Sequence, residues 1–191
     1  MGYFGVLGTA STTPDPQMLF VEAFPLGGAG AFTFQQSQAT FSVQAFNVPL
    51  SLSFNSVIMW GAKTQSTAGS FTLKFGLYSM NGSTLSLANS ASGTYTQAAS
   101  QSHTSWISLA TSATQNITPG TWFAGILVLT GGTAANLFAR NCGSNPGNAL
   151  PFFRYGRSTA STTDLPISFA TSDLDVTGQD ALTQVYFTIA A

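Results

Sequence analysis

The sequence predicts an all-β protein: an antiparallel β-sandwich, jelly-roll-like, with an extended N-terminal arm. Apolar and polar residues alternate in many short segments, and this is the period of a half-buried strand. Turn residues separate the segments at short intervals, and no segment keeps a 3.6-residue period. These observations favour antiparallel pairing in a sandwich or jelly roll over a parallel sheet.

The first 18 residues are predicted to form the extended arm, and residues 19–191 the sandwich domain. Pro14-Asp15-Pro16 resists both helix and interior strand, because each proline fixes φ and removes a hydrogen-bond donor. The arm also carries four apolar residues that are candidate anchors on a neighbouring protein surface, with the prolines holding the segment extended. These candidates are Tyr3, Phe4, Val6 and Leu7. The alternative is a frayed terminus.

The first strands follow the arm. Leu19 to Phe24 predicts a short strand, and Phe32 with Phe34 forms a second apolar patch beyond a glycine-rich connection. Period-2 alternation then begins, and each segment offers one apolar face. The apolar positions are Phe41, Val43, Ala45, Leu50, Leu52 and Phe54, alternating with Ser42, Gln44, Ser51 and Ser53. The continuous apolar run from Val57 to Trp60 predicts a strand covered on both sides.

A hairpin is predicted around Asn81-Gly82. The strand before it alternates through Phe71, Leu73, Phe75 and Leu77, and Leu85 and Leu87 resume the alternation after it. Asn-Gly readily accepts positive φ at both centres of a type I′ turn. The sequence therefore predicts such a turn at this pair.

The second half of the chain contains further strands and one long irregular excursion. Strands are predicted around Trp106 to Ala110, from Trp122 to Leu129 after the turn at Thr118-Pro119-Gly120, and over residues 182–190. Between them, residues 140–166 hold several Pro and Gly turn signals. This excursion carries a cluster that is a candidate recognition or subunit-contact surface: Phe152, Phe153, Arg154 and Tyr155. The alternative is that the cluster plugs one end of the sandwich.

Composition narrows the class of protein. Apolar residues make up 44% of the chain, and only 6% of residues are charged, against roughly 25% in typical soluble proteins. Neutral Ser, Thr, Asn and Gln must therefore supply most polar groups of the surface. They cost less to desolvate than charges, which suits contact between subunits. The five basic residues form no run, so we expect no nucleic-acid binding. The start lacks a secretory signal and the longest apolar run is too short to span a bilayer, so no membrane partner is expected.

Catalysis and metal binding find little support. The single histidine, His103, lies in a Ser/Thr-rich stretch without a Gly-x-Ser-x-Gly elbow. Asp173 and Asp175 supply carboxylates, but their spacing alone does not select a glycosidase pair. Residues 173–178 resemble the opening of an EF-hand loop, yet Gln184 stands where the bidentate Glu belongs. We therefore predict no enzyme, cofactor or metal, and interpret this segment as an Asx-turned loop.

Two phrases carry a family resemblance. One runs from Phe71 to Leu87 and includes Gly76-Leu77-Tyr78-Ser79 before Asn81-Gly82, and the other is Pro119-Gly120-Thr121-Trp122. Both resemble β-sandwich domains in virion proteins of tailed phages, namely tail fibres and capsid decoration or cement proteins. The resemblance covers about residues 50–130. It implies a virion component, commonly trimeric, with no enzymatic residues to carry over.

The expected function is therefore structural. We expect a homotrimer, made in the host cytoplasm, that binds the major capsid protein or another virion protein. A single short arm precedes the sandwich, whereas a fibre subunit usually has a longer attachment segment, and this favours capsid decoration. The alternative is a tail-fibre or receptor-binding, lectin-like adhesion protein that recognises host-surface glycans.

Overall fold

The chain is built from antiparallel β-strands, which confirms the all-β prediction. The computed structural model describes residues 18–20, 31–35, 39–64, 69–97, 102–130, 136–141, 155–175, 181–183 and 185–189. Within these ranges the strands are β1 (Met18–Phe20), β2 (Ala31–Gln35), β3 (Thr40–Val48), β4 (Leu52–Thr64), β5 (Gly69–Asn81), β6 (Thr84–Gln97), β7 (Ser102–Ile117), β8 (Gly120–Thr130), β9 (Asn136–Asn141), β10 (Tyr155–Ser161), β11 (Ser168–Ala170), β12 (Leu174–Asp175), β13 (Ala181–Thr183) and β14 (Val185–Ile189). A 3-10 turn, Thr171–Asp173, contributes the helical residues of the described ranges.

The strands form one open sheet in the order β1-β14-β4-β7-β6-β5-β8-β3-β10-β12, with β9 also pairing with β4 and carrying β2 and β13. A single pair, Ala91 with Thr111, joins β6 to β7. The sheet therefore consists of two halves that meet at this single pair. We call the strands from β7 back to β1, with β2, β9 and β13, the first half-sheet, and β6 through to β12, with β11, the second half-sheet. No helix among the described residues has the length and hydropathy needed to cross a bilayer.

Both faces of the second half-sheet are covered at its centre. Residues 41–46 of β3 and residues 123–128 of β8 are all buried, and these strands pair directly. The polar alternation in β3 had predicted a half-buried strand, but Ser42 and Gln44 are only 3% and 5% exposed. That prediction was wrong because β3 lies between β8 and β10 in the sheet, and its side chains are buried on both faces. The Ser42 hydroxyl donates to the Ile126 carbonyl at 3.4 Å.

One of these faces is covered by residues 162–175, which we call the strap. The strap leaves β10, pairs with β6 through β11, and returns to β10 through β12. Its apolar side chains Leu165, Phe169 and Leu174 pack on a cluster from β3, β5, β6 and β8. We call this side of the half-sheet the strap face. The cluster comprises Phe41, Val43, Ala45, Tyr78, Leu85, Phe123 and Leu127.

Two glycines make room for the aromatic rings beneath the strap. Gly76 of β5 and Gly125 of β8 lie directly opposite each other, and a Cβ on either would come within 2.6 Å of Tyr78 Cε2. Tyr78 therefore lies against bare backbone and is fully buried. Its ring meets Phe41 and Phe169 edge-on, with centroids 5.6 and 5.4 Å apart. Edge-to-face pairs of this kind are favoured by the ring quadrupoles.

The predicted hairpin is confirmed, although its turn differs. β5 and β6 pair as far as Asn81 with Thr84, so the two loop residues are Gly82 and Ser83. Only Gly82 has positive φ, at +59°. This pattern is that of a type II′ turn, which needs glycine at the first central position alone. The prediction of a type I′ turn centred on Asn81-Gly82 was wrong by one residue.

Two other strand predictions also need correction. Leu50 is 75% exposed and precedes β4, which begins at Leu52. The predicted closing strand over residues 182–190 is divided: β13 pairs with β9, whereas β14 pairs with β4 and β1. The turn at Thr118-Pro119-Gly120 is confirmed between β7 and β8, and Trp122 Nε1 donates to the Thr118 carbonyl across it at 2.9 Å.

Candidate functional site

Most of the contact residues predicted from sequence fall outside the described part of the chain. Tyr3, Phe4, Val6 and Leu7 of the arm lie there, as do Phe152, Phe153 and Arg154 of the excursion. The backbone of Tyr155 begins β10 and pairs with Gln44 of β3. The predicted contact clusters therefore remain predictions.

The histidine and the two aspartates that the sequence analysis considered for catalysis lie on three different elements. His103 lies on β7, paired with Lys63 of β4. Asp173 ends the 3-10 turn, where its Oδ2 accepts the Ala170 amide at 3.3 Å, and Asp175 lies on β12 opposite Arg157. Among the described residues, no three His, Cys, Asp or Glu side chains are grouped to hold a metal ion.

A flat row of hydroxyl groups lies beside the strap on the same face of the sheet. It comprises Thr72 of β5 with Ser90, Ser92 and Thr94 of β6, and we call it the hydroxyl face. All three β6 residues are exposed. The register places Ser90 opposite Gly76, Ser92 opposite Lys74 and Thr94 opposite Thr72. The Thr72 and Thr94 hydroxyls lie 3.0 Å apart and share a hydrogen bond.

A β-bulge explains why hydroxyls occupy this face. Leu85 and Leu87 point toward the strap, and uninterrupted alternation would place Asn89 and Ala91 beside them. The register instead shifts between Leu77 and Tyr78 of β5, opposite Ala88. An extra residue in one strand moves the following side chains to the other face. This switch was not predicted, although the change from apolar odd positions to hydroxyl even positions in β6 signals it.

An ion pair links the hydroxyl face to the strap, since Lys74 lies opposite Ser92 in the row. Lys74 Nζ lies 2.9 Å from Asp164 Oδ1 and also donates to the Thr163 carbonyl at 3.1 Å. The hydrogen bond from Lys74, followed by that from the Leu165 amide, holds the pKa of the exposed Asp164 carboxyl below its usual value. The ammonium is thus compensated within the molecule. The row of hydroxyls beside it presents neutral side chains.

A small polar pocket opens at the β10 and β12 edge of the half-sheet. It is lined by Thr40, Arg157, Ser158 and Asp175 and has a volume of about 360 Å³. Arg157 Nη2 and Nε lie 3.3 and 3.4 Å from Asp175 Oδ2. The Ser158 hydroxyl accepts the Phe41 amide at 3.1 Å and donates to the Ala160 carbonyl at 2.8 Å. We call this feature the edge pocket.

The hydroxyl face and the edge pocket suit different ligands. The hydroxyl face is open and neutral, which favours a broad protein contact because hydroxyls are cheaper to desolvate than charges. The edge pocket combines a cation, an anion and hydroxyls in a volume close to the lower end for small-molecule sites. A scan of the chain against models of known protein families finds no match, and a search of curated proteins finds none either.

Proposed function

We propose that the chain is a non-enzymatic structural protein of a phage particle, a capsid decoration or cement protein that attaches to the particle surface as an oligomer. Its partners are further copies of itself and the major capsid protein or another virion protein. The resemblance of the β5–β6 hairpin and of the start of β8 to virion β-sandwich domains supports this role. The hydroxyl face is the structural observation that carries it.

The proposal includes stacking of the two half-sheets as a jelly-roll-like sandwich. In the second half-sheet, the side away from the strap buries Phe46, Phe75 and Ile126, and the first half-sheet buries Phe54 and Leu109. Buried apolar faces need a cover, and two sheets commonly provide it for each other. The single Ala91–Thr111 link leaves the half-sheets free to turn toward one another.

The hydroxyl face fits attachment to a protein surface. Ser and Thr side chains are short, so little side-chain entropy is lost when a partner covers them. Each hydroxyl both donates and accepts, and therefore adapts to the polar groups of the partner.

Localisation and mutation together test this function. Labelled antibody should find the protein distributed over the capsid of intact particles. The double variant Ser92→Glu/Thr94→Glu should lose co-sedimentation with particles, because two carboxylates would have to be desolvated in the contact. Ser51→Glu, at an exposed turn residue, is the matched control and should attach normally. Attachment unchanged by the double variant would refute the role of the hydroxyl face.

The arm supplies a second attachment element in this proposal. Removing residues 1–17 deletes Tyr3, Phe4, Val6 and Leu7 and leaves the described strands, which begin at Met18, in the chain. We expect the truncated protein to keep its β-sheet circular dichroism spectrum but to sediment less completely with particles. Equal attachment of full-length and truncated protein would remove the arm from the contact.

The edge pocket favours a second candidate function, a receptor-binding adhesion protein of the tail that recognises host-surface glycans. Arg157 and Asp175 place a donor and an acceptor side by side, an arrangement that suits neighbouring sugar hydroxyls. A glycan array tests this directly. Binding that is lost in Arg157→Ala, together with antibody labelling confined to the tail tip, would replace capsid decoration by receptor binding.

A further inference from the structure

The turn between β5 and β6 contains the only Asn-Gly pair in the chain, Asn81-Gly82. Both residues are exposed. Gly82 has φ of +59°, and apart from Gly82 itself and its two chain neighbours no described residue has an atom within 4 Å of the position a Cβ would take. The ladder ends with Asn81 opposite Thr84, so the Gly82 amide lies beyond the last rung. The side-chain amide of Asn81 and the nitrogen that follows it thus belong to an exposed turn.

We propose that Asn81 is a site of spontaneous deamidation whose rate is set by the strap. The Gly82 nitrogen attacks Asn81 Cγ and loses its proton. A new C–N bond closes a succinimide ring, and the bond from Cγ to the side-chain nitrogen breaks to release ammonia. Water then opens the ring at either carbonyl and leaves aspartate or isoaspartate. Water is the only co-reactant, and this chemistry is independent of the role of the protein in a particle.

The strap controls the step because it holds the turn in a conformation unsuited to attack. Asn81 must turn its backbone to bring Cγ onto the Gly82 nitrogen, and this breaks the pairing with Thr84. The Thr171 amide donates to the Ser83 carbonyl at 2.8 Å, and Ala170 pairs with Thr84. Both contacts resist opening of the turn. Reaction therefore occurs from the fraction of molecules in which this end of the hairpin has opened locally.

Each product changes the surface in a distinct way. Either one adds a carboxylate and so makes the formal net charge, now −1, more negative by one. Aspartate keeps the backbone length and the last rung of the hairpin. Isoaspartate adds a backbone atom at Asn81, which removes the register with Thr84. The aged protein is therefore a mixture of two acidic forms, one with an intact hairpin end and one without.

The experiment follows Asn81 during incubation of the purified full chain at mildly alkaline pH. Isoelectric focusing reads the added charge, and peptide mass spectrometry locates it and separates the two products. Thr171→Pro removes the amide that bonds to Ser83, and proline is tolerated at the first position of a helical turn. Ala170, at φ −81° and ψ 146°, already has the backbone that a residue before proline requires. Thr171→Ala keeps the amide and is the matched control.

We expect deamidation at Asn81 at least about tenfold slower in the folded protein than in urea, a ratio equivalent to about 1.4 kcal/mol of opening free energy. Thr171→Pro should react faster than the wild type, Thr171→Ala at the wild-type rate, and Asn81→Gln should abolish the charge change. If Thr171→Pro fails to fold, Ala170→Gly, which weakens the β11 pairing, should accelerate the reaction instead. Charge gain at other asparagines with Asn81 intact would overturn the site, and equal folded and unfolded rates would overturn the control by the strap.

Discussion

At the scale of residues, the packing of the strap face depends on two glycines that lie beneath aromatic rings. Gly76 and Gly125 carry no side chain, and this absence lets Phe41 and Tyr78 lie against the backbone of β5 and β8. Tyr78 then reaches up to the strap, where its hydroxyl donates to the Pro166 carbonyl at 3.0 Å. The glycines and the tyrosine therefore act together as one packing unit.

Gly125→Ala should destabilise the fold by about 1–3 kcal/mol through overpacking. Its Cβ would lie 2.5 Å from Tyr78 Cε2 and 2.6 Å from Phe41 Cε2, so both rings must move. Urea unfolding measures the change. Ser90→Ala, at an exposed position on the same face, is the control and should stay within about 0.5 kcal/mol of the wild type. Equal stability of the two variants would contradict this account.

Tyr78→Phe removes one hydrogen bond and should cost about 1 kcal/mol at neutral pH. The variant should also change the response to alkali. Burial, with a smaller contribution from the Asp164 carboxylate, raises the pKa of Tyr78. A raised folded-state pKa contributes stability that is full below the unfolded value of about 10 and falls as pH rises above it.

Unfolding free energies across the alkaline range test this linkage. The wild type should lose stability above about pH 10 more steeply than Tyr78→Phe, because only the wild type must ionise this buried phenol on unfolding. Parallel curves for the two proteins would show that Tyr78 does not titrate differently in the folded and unfolded states.

At the scale of elements, the strap covers one face of the second half-sheet and buries the apolar side chains there. Its inward residues Leu165 and Leu174 are each 8% exposed, whereas Ile167 between them is 81% exposed. The ion pair between Lys74 and Asp164 joins the start of the strap to β5, and the pairing of β11 with β6 holds its middle. An ion pair with so exposed a carboxylate adds little, so apolar burial is the main attachment.

Leu165→Ala should therefore destabilise the protein by about 2–5 kcal/mol, the usual range for a buried leucine. Ile167→Ala, two residues away on the outer side, should change stability by less than about 0.5 kcal/mol. Urea midpoints of the two variants give the comparison directly. A large effect at Ile167, or a small one at Leu165, would mean that the strap packs differently.

At the scale of the whole molecule, the chain has few charged residues, only 6% of the total. The chain has five basic and six acidic residues, and both described ion pairs, Lys74–Asp164 and Arg157–Asp175, join parts of the same half-sheet. Few charged side chains are therefore present to oppose self-association at strand edges. This favours closed symmetric assembly, for which the virion resemblance implies a trimer.

Light scattering of the purified protein measures its assembly state. We expect a mass three times that of the chain at micromolar concentration, or a trimer that forms on addition of capsids. Ser92→Glu/Thr94→Glu should keep the trimer if the hydroxyl face binds the capsid and lose it if that face joins the subunits. A monomer both in solution and on particles would contradict the proposed oligomer.

The sequence by itself determined the all-β class, the β5–β6 hairpin and the turn before β8. These features depend on period-2 alternation and on turn chemistry, both of which are local properties of the chain. The sequence also pointed to a low-charge surface, since composition is independent of how the strands pair.

The tertiary structure alone decided which faces are covered. Ser42 and Gln44 look like solvent-facing residues, yet they are buried in β3, which lies between β8 and β10 in the sheet. The bulge at Ala88 of β6 places three hydroxyls on the strap face, and the position of a bulge depends on pairing with the partner strand. Asp175 and Arg157 are eighteen residues apart in sequence, and they meet because β12 pairs with β10. The local pattern of β6 signals the change of face, but the register of the bulge, the burial of β3 and the partner of Asp175 are determined by contacts between distant segments.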